Sequence, residues 1–289
     1  MTIVKEIKNK IASVKNTQKI TKAMEMVSIS KMRKTQNKMN IGKPYSETIK
    51  TVIQHVTEGY LEYQHPYLKC RKKIKKIGCI IISTDKGLCG SLNTNLFKKI
   101  LEKIKFYAQN KIFTEIIIIG SKGIHFFESL GYHILDKITG IENNPSFSKI
   151  VTFSTSLISA YKEKRIDKLY IGYNHFHNRL NQYPIVQQLL PIITVNKKQK
   201  KQKMWDYLYE PNSKFLLNIL LNKHLEFQIY QSILEQLACE QAARMIAMNT
   251  ANNNSSSLIQ DLQLRYNKSR QSSITQEITE IIAGVSSIS

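Results

Sequence analysis

The chain has 289 residues and a formal net charge of +22, from 43 Lys plus Arg against 21 Asp plus Glu. A chain of this size buries one good core or two small ones, and 42% apolar content with six Pro and a single Trp excludes wholesale disorder and a collagen-like repeat. The longest apolar runs, Cys79 to Ile82 and Ile116 to Ile119, fall far short of the roughly 18 residues a membrane-spanning helix needs, and charge alternates with Ile at the start where a secretory signal would be apolar.

Met1 to about Thr57 carries one Gly and one Pro, with Ile3, Ile7, Ile11 and Val14, then Ile20, Met24 and Val27, recurring at spacings of three and four. The pattern predicts one long amphipathic helix over 1–57 that needs a partner helix. From about Lys75 to Lys203 the character changes. Ile77 to Ser83, Glu115 to Gly120 and Lys168 to Tyr173 are short β-branched runs, alternating with helical stretches at Leu92 to Phe106, Ser121 to Leu130 and about Ser146 to Lys164. Strands alternating with helices at this spacing predict a parallel α/β domain over 75–203. The stretch Asn196 to Lys203, nearly all Lys and Gln, reads as a solvated linker.

After Pro211 the chain turns helical again, and 207–289 is assigned to a second coiled-coil helix. Leu216, Leu220, Lys223, Phe227, Tyr230, Leu234 and Leu237 form a heptad seam that resumes at Ile274, Ile278, Ile281 and Val285. Between them Asn252 to Ser257 are all Asn or Ser, poor helix formers, so a bend, a frayed turn or a partner contact is expected there. Two long end helices enclosing an α/β domain imply an antiparallel coiled coil with a globular body inserted at its foot.

Catalytic signatures fail in turn. Neither GxGxxG nor GxxxxGK[ST] is present, and four Cys without CxxC spacing and seven scattered His give no metal-ligand set and suit a reducing cytosol. Gly87 to Gly90 follows a strand and could pass for a phosphate cradle or a nucleophile elbow, but no His or carboxylate is spaced to activate Cys89, which favours a tight strand-to-helix turn. An interaction or mechanical protein is therefore expected, with no cofactor and no metal.

The charge invites a second reading, a basic nucleic-acid-binding coiled-coil protein. Only seven of the 43 cations are Arg, and Lys, Ile and Asn share A/T-rich codons, so a biased genome would raise all three without selection for binding. From Trp205 onward six basic residues face eight acidic ones, which confines the excess to the first two thirds.

Several strings then point to one family. KIASVKNTQKITKAMEMVSISKMRK from Lys10 to Lys34 closely resembles the amino-terminal helix of the gamma subunit of bacterial F-type ATP synthases, and LRYNKSRQSSITQEITE from Leu264 to Glu280 resembles its carboxyl-terminal helix. STDKGLCG from Ser83, IGSKG from Ile119 and WDYLYEP from Trp205 are similar to that family in the same order. The resemblance implies an α/β fold in which the two end helices wind into a long antiparallel coiled coil around an inserted Rossmann-like domain. It implies a central, non-catalytic rotor shaft, one copy per complex, coupling proton flow through a membrane c ring to ATP synthesis or hydrolysis in an alpha3-beta3 ring.

Residue roles follow by string match. Met24, Arg270, Gln271, Thr275 and Glu277 fall where the shaft touches the catalytic ring, and Arg244 matches a further coupling position. Lys31, Arg33 and Lys34, with Lys86 and Cys89 in the turn, resemble segments that face an acidic lever on beta; Tyr207 and Glu210 match the foot on the c ring and epsilon. The partners implied are the alpha, beta, epsilon and c subunits and not nucleic acid, with the chain held peripherally at the cytoplasmic face of the inner membrane through the complex. The chain departs from the family at Ser91 and in the Asn252 to Ser257 run, where Gly is usual or frequent; both substitutions remove freedom at φ > 0.

Overall fold

A computed structural model describes residues 2–59, 65–69, 71, 73–141, 147–192 and 213–286. The elements in chain order are α1 (Thr2–Gly59), β1 (Lys76–Ile82), α2 (Leu92–Gln109), β2 (Phe113–Ile119), α3 (Ser121–Ser129), β3 (Ile134–Ile138), α4 (Phe147–Lys162), β4 (Lys168–Phe176), β5 (Gln182–Leu190) and α5 (Ser213–Ser286). The chain divides into two compact units, Met1–Ser30 with Arg244–Ser289, and Lys31–Ala243.

The larger unit is built on a five-stranded sheet in the order β3-β2-β1-β4-β5. β1 pairs in parallel with β2 and β4, β2 pairs in parallel with β3, and β5 returns antiparallel on β4. Alternation along each strand sends side chains to opposite faces. Ile77, Cys79 and Ile81 with Ile116 and Ile118 pack under α2 and α3, against Leu96, Phe97, Ile100, Ile104 and Phe127. Ile80 and Ile82 with Ile117, Ile119 and Ile171 pack on the other face, against Leu157 and Tyr161 of α4, Ile49 and Ile53 of α1, and Leu217 to Ile233 of α5. Both faces are covered, as a largely parallel sheet requires. α2 comes so close that a Cβ on Gly172 would lie 2.8 Å from Ile100 Cδ1.

The three strands expected from the sequence are present, and two edge strands join them. β3 (ILDKI) and β5 (QYPIVQQLL) carry polar residues and a proline that dilute the apolar run, which an edge position tolerates. The sheet is therefore mixed and not purely parallel.

α1 runs unbroken through Pro44, and α5 is a single helix of 74 residues. Along α1 the less exposed positions include Val4, Ile7, Ile11, Val14, Gln18, Thr21, Glu25, Ser28, Met32, Thr35, Met39, Gly42, Ser46, Ile49 and Ile53, a heptad seam in steps of three and four, with Met24, Ile29 and Val52 half-buried beside it. Of the expected apolar stripe, Ile7, Ile11, Val14 and Met24 are half-buried, while Ile20 and Val27 are exposed and polar residues enter the seam from Gln18 on.

α5 in the body shows a second difference. Leu217, Leu221, Leu225, Ile229 and Ile233, one residue away from much of the expected seam, are buried in the sheet core. Of the expected seam, Leu216, Leu220, Phe227, Tyr230 and Leu237 are half-buried and Lys223 is exposed, while Leu234 is buried as expected. There α1 runs antiparallel beside it: Tyr45 stacks edge-on to Phe227 at 5.0 Å, and a Cβ on Gly42 would lie 2.9 Å from Phe227 and 3.4 Å from Gln231. α5 serves two partners in the body, so it carries two apolar faces.

Asn252 to Ser257 are helical without a break, which corrects the expected bend. Ser255, Ser256 and Ser257 each donate the hydroxyl to the carbonyl four residues back, at 2.8, 3.2 and 3.3 Å, which satisfies the polar side chains within the helix. A contact between the end helices is found here: Gln18 Nε2 donates to Ser256 Oγ at 2.8 Å.

Candidate functional site

In an open α/β sheet ligands bind beyond the carboxyl ends of the strands, where strand order reverses. In this chain that place lies past β1 and β4, and the STDKGLCG segment crosses it. Ser83 Oγ donates to the carbonyls of Ile119 and Gly120 and accepts from the Gly123 N–H at 2.9 Å. Asp85 accepts from the Ser121 N–H and hydroxyl and from the Gly140 N–H at 3.0, 3.1 and 3.0 Å. The donors opening α3, which would cradle a phosphate in a nucleotide site, are thus taken by a side chain of this chain.

α5 fills the rest of the crevice. Gln236 Oε1 accepts from both the backbone N–H and the side-chain amide of Asn174 at 2.8 and 3.0 Å. The Cys239 thiol donates to the Asn174 carbonyl at 3.1 Å, and His175 Nδ1 lies 2.7 Å from Glu235 Oε2. Burial pushes the Cys239 thiol far up and raises Tyr173, beside Glu235, to about 12. Such groups stay protonated at neutral pH and serve packing rather than proton transfer. Among the described residues no group of three or more His, Cys, Asp or Glu is placed to hold a metal ion.

The turn itself separates an outward from an inward side. Leu88 adopts φ 65 and Gly90 φ 60; Leu88 stands 59% exposed and Lys86 is exposed, while Cys89 is 3% exposed. Cys89 Sγ accepts from Asn93 Nδ2 at 3.6 Å and packs with Leu92, Cys239 and Ala243. The expectation that Cys89 is a surface contact is therefore corrected. The left-handed conformation at Leu88 turns that side chain outward and the next one in. Ser91 has φ −85 and stands at the start of α2, so the missing glycine there costs no backbone freedom.

The remaining expected contacts fall on the long helices. In the body, Arg33 and Lys34 are exposed on α1 and Lys31 is half-buried, beside the fully buried Met32. In the smaller unit Met24 is half-buried, while Arg270, Gln271, Thr275 and Glu277 are exposed. Thr275 donates its hydroxyl to the Gln271 carbonyl at 2.9 Å, so it offers a partner an acceptor. Arg244 is 5% exposed, which corrects the expectation of an open contact there. Tyr207, Glu210 and the linker 196–203 lie outside the described residues.

Sequence patterning missed one feature of the smaller unit. Ile20, Met26 and Val27 on α1, and Leu264, Ile274, Ile278, Ile281 and Ile282 on α5, are all exposed apolar side chains. The seam from Ile274 was expected to be buried between the helices; instead Ile274, Ile278 and Ile281 are exposed, and the Val285 side chain lies outside the described ones.

A family model described as ATP synthase matches residues 3–288. An ATP synthase gamma chain from Buchnera aphidicola subsp. Acyrthosiphon pisum (strain Tuc7) is 53% identical over 289 residues, covering 100% of this chain and 99% of its own length. The chain belongs to the ATP synthase gamma chain family. A second gamma chain, from Buchnera aphidicola subsp. Diuraphis noxia, is 52% identical over the same 289 residues. Among solved structures, a chain of the Euglena gracilis mitochondrial ATP synthase OSCP/F1/c-ring assembly superposes with a TM-score of 0.69 at 20% identity, covering 99% of this chain and 95% of that one. A chain of the Tetrahymena thermophila mitochondrial ATP synthase central stalk and c ring gives 0.59 at 24% identity, over 80% and 99%. Gamma chains are rotor subunits of the central stalk and are not themselves catalytic, which agrees with a crevice filled by the chain's own helix.

Proposed function

We propose that this chain is the asymmetric shaft that couples proton flow through a membrane c ring to ATP synthesis or hydrolysis in an alpha3-beta3 ring. The observation that carries the reading is the run of exposed isoleucines, Ile274, Ile278, Ile281 and Ile282, on a helix pair with little core of its own. Exposed apolar side chains at this density are a docking surface, and a surrounding ring of subunits covers a shaft from all sides. Within it Arg270 offers a bidentate fork to a beta carboxylate, while Gln271, Thr275 and Glu277 exchange hydrogen bonds with the ring and Met24 supplies an apolar contact. Arg244, buried here, acts by holding the shaft's own packing. Lys31, Arg33, Lys34 and Lys86 meet an acidic surface on beta, and Leu88 takes over the outward contact assigned to Cys89. Tyr207 and Glu210, just before α5, rest on the c ring and epsilon.

The working segments are then a coiled-coil helix over 1–57, a Rossmann-like domain over 75–203 and a second coiled-coil helix over 207–289. One copy serves each complex, at the cytoplasmic face of the inner membrane, and it binds no nucleic acid. No helix among the described residues is long and apolar enough to cross a membrane, which suits attachment through the complex. Co-expression with alpha and beta tests the reading: a complex of the three that hydrolyses ATP is expected. A chain that remains alone beside folded alpha and beta would overturn it.

A further inference from the structure

The rotor contacts leave much of the positive charge unexplained, and the amino-terminal rim of the sheet gathers a share of it. Lys75 and Lys76 lead into β1, Lys105 lies in the last turns of α2, and Lys111, at φ 57, sits in the turn before β2; all four are exposed. Phe106 and Phe113 stand among them, each 58% exposed. The pieces are tied together locally. The Phe113 N–H donates to the Lys75 carbonyl at 3.0 Å, Lys76 Nζ lies 5.7 Å from the Phe113 ring, and Asn110 Nδ2 holds the Phe106 carbonyl at 2.8 Å.

Three carboxylates at this rim are already engaged, while Glu102, one turn before Phe106 on α2, is exposed. Glu115 pairs with Lys76 at 3.4 Å and Glu163 pairs with Arg165. Burial alone would raise the Asp167 carboxyl, but Arg71 and the Lys75 and Lys76 N–H groups outweigh it and hold the group below its ordinary value. The rim thus presents Lys75, Lys105 and Lys111 beside two exposed aromatic rings, with Lys76 paired to Glu115.

Its position in the body is fixed by α5. Asn222 of α5 meets the Tyr67 hydroxyl at 3.0 Å, and the Tyr67 carbonyl accepts from the Ile192 N–H just beyond β5, at the strand-start end of the sheet. Gln236, further along α5, meets Asn174 near the far end of β4. The rim therefore shares its end of the body with the start of α5.

We infer that this rim docks on the anionic phospholipid headgroups of the membrane that carries the c ring. The inference rests on the rotor reading, in which the residues just before α5 face that ring. A lysine near an anionic leaflet raises partitioning by about fivefold, an effect confined to roughly a Debye length, and apolar rings among basic residues add burial at the headgroup boundary. The two phenylalanines favour a bilayer over a purely phosphate partner.

The test uses the full chain and sedimentation with vesicles of phosphatidylcholine alone or mixed with phosphatidylglycerol, at physiological salt. The unaltered chain binds the mixed vesicles and leaves the neutral ones. Changing Lys75, Lys76, Lys105 and Lys111 together to Gln lowers that binding by about tenfold or more. Changing the exposed Lys5, Lys8, Lys15 and Lys19 to Gln, an equal loss of charge, lowers it by about threefold at most. The pair Phe106→Ser and Phe113→Ser weakens binding several-fold at constant charge. Equal losses in the two lysine sets overturn the inference, as does an unchanged Phe pair. Tighter binding of a short duplex DNA than of the mixed vesicles, lost only in the rim variant, overturns it in favour of nucleic acid. The rim variant still co-purifies with alpha and beta. Failure of the unaltered chain to do so counts against the rotor reading instead and leaves the vesicle result standing.

Discussion

The body, Lys31–Ala243, and the helix pair, Met1–Ser30 with Arg244–Ser289, are made from the same two long helices, yet they solve the burial problem in opposite ways. In the body α5 sinks Leu217, Leu221, Leu225, Ile229 and Ile233 into a sheet core. In the pair the seam mixes Ile7, Ile11, Val14, Met248, Ile259, Leu262 and Tyr266 with Gln18, Thr21, Ser28, Ser255, Ser269 and Ser273, while Ile20, Val27, Ile274, Ile278, Ile281 and Ile282 face outward. Deep hydrophobic burial holds the first; the second has a thin, mixed seam and leaves much of its apolar surface outside. The proposed rotor role accounts for this division: torque requires a rigid base and a shaft whose outer surface belongs to its bearing.

The largest effect that would sharpen the contrast comes from the turn that organises the strand ends. Gly120 has φ 106, and a Cβ there would lie 2.4 Å from the Ser83 carbonyl oxygen. Gly120→Ala combines backbone strain with a clash, and a loss of about 4 kcal/mol is expected, read as a collapse of the body's denaturant midpoint. Next, Leu221→Ala removes a fully buried side chain and costs about 3 kcal/mol by the same measurement. A loss under about 1 kcal/mol would break the claim that α5 is part of the core.

Acid acts on the body as well. Burial lowers the pKa of His224, with Lys50 adding to it, and that of His65, where an Asn218 hydrogen bond works the other way. Both rings take up protons at lower pH in the folded chain than in the unfolded chain, which does so near pH 6.5. Stability from these sites is therefore complete above pH 6.5 and is lost as pH falls through that value toward the depressed folded values. Melting scans at pH 7.5 and 5.5 should show the drop, and His224→Gln should reduce it. An equal drop in the variant would exclude His224 as a source.

The smallest effects are expected in the pair. Ile278→Ala or Gln18→Ala should move the isolated chain by no more than about 0.5 kcal/mol, since both side chains are largely exposed or solvated. In the assembled complex Ile278→Ala should weaken co-purification with alpha and beta. A large loss of stability in the isolated chain would show that Ile278 belongs to an internal core after all.

Much of this was legible from spacing alone. The three buried strands were readable because Ile-rich runs need no partner to announce them; β3 and β5 were not, because edge strands mix polar residues into a short run. The long helices were readable too, but not their faces. A helix flanked by both a sheet and α1 carries two apolar faces, so the heptad seam of α5 marked the shallower one. Of the outcomes expected at Asn252 to Ser257, the bend and the frayed turn are absent: propensity counts side chains one at a time, whereas the serine hydroxyls bond back to the helix. At the site, string resemblance located the STDKGLCG turn. The inward direction of Cys89 was hidden, because it follows from the positive φ at Leu88, which the surrounding structure sets.

The central claim is mechanical, so the most direct measurement is mechanical. A probe attached to the exposed outer face of α2 in the body, with the alpha3-beta3 ring fixed to a surface, should turn steadily in one direction when ATP is supplied and stop when ATP is removed. A complex that hydrolyses ATP while the probe stays still would contradict the account.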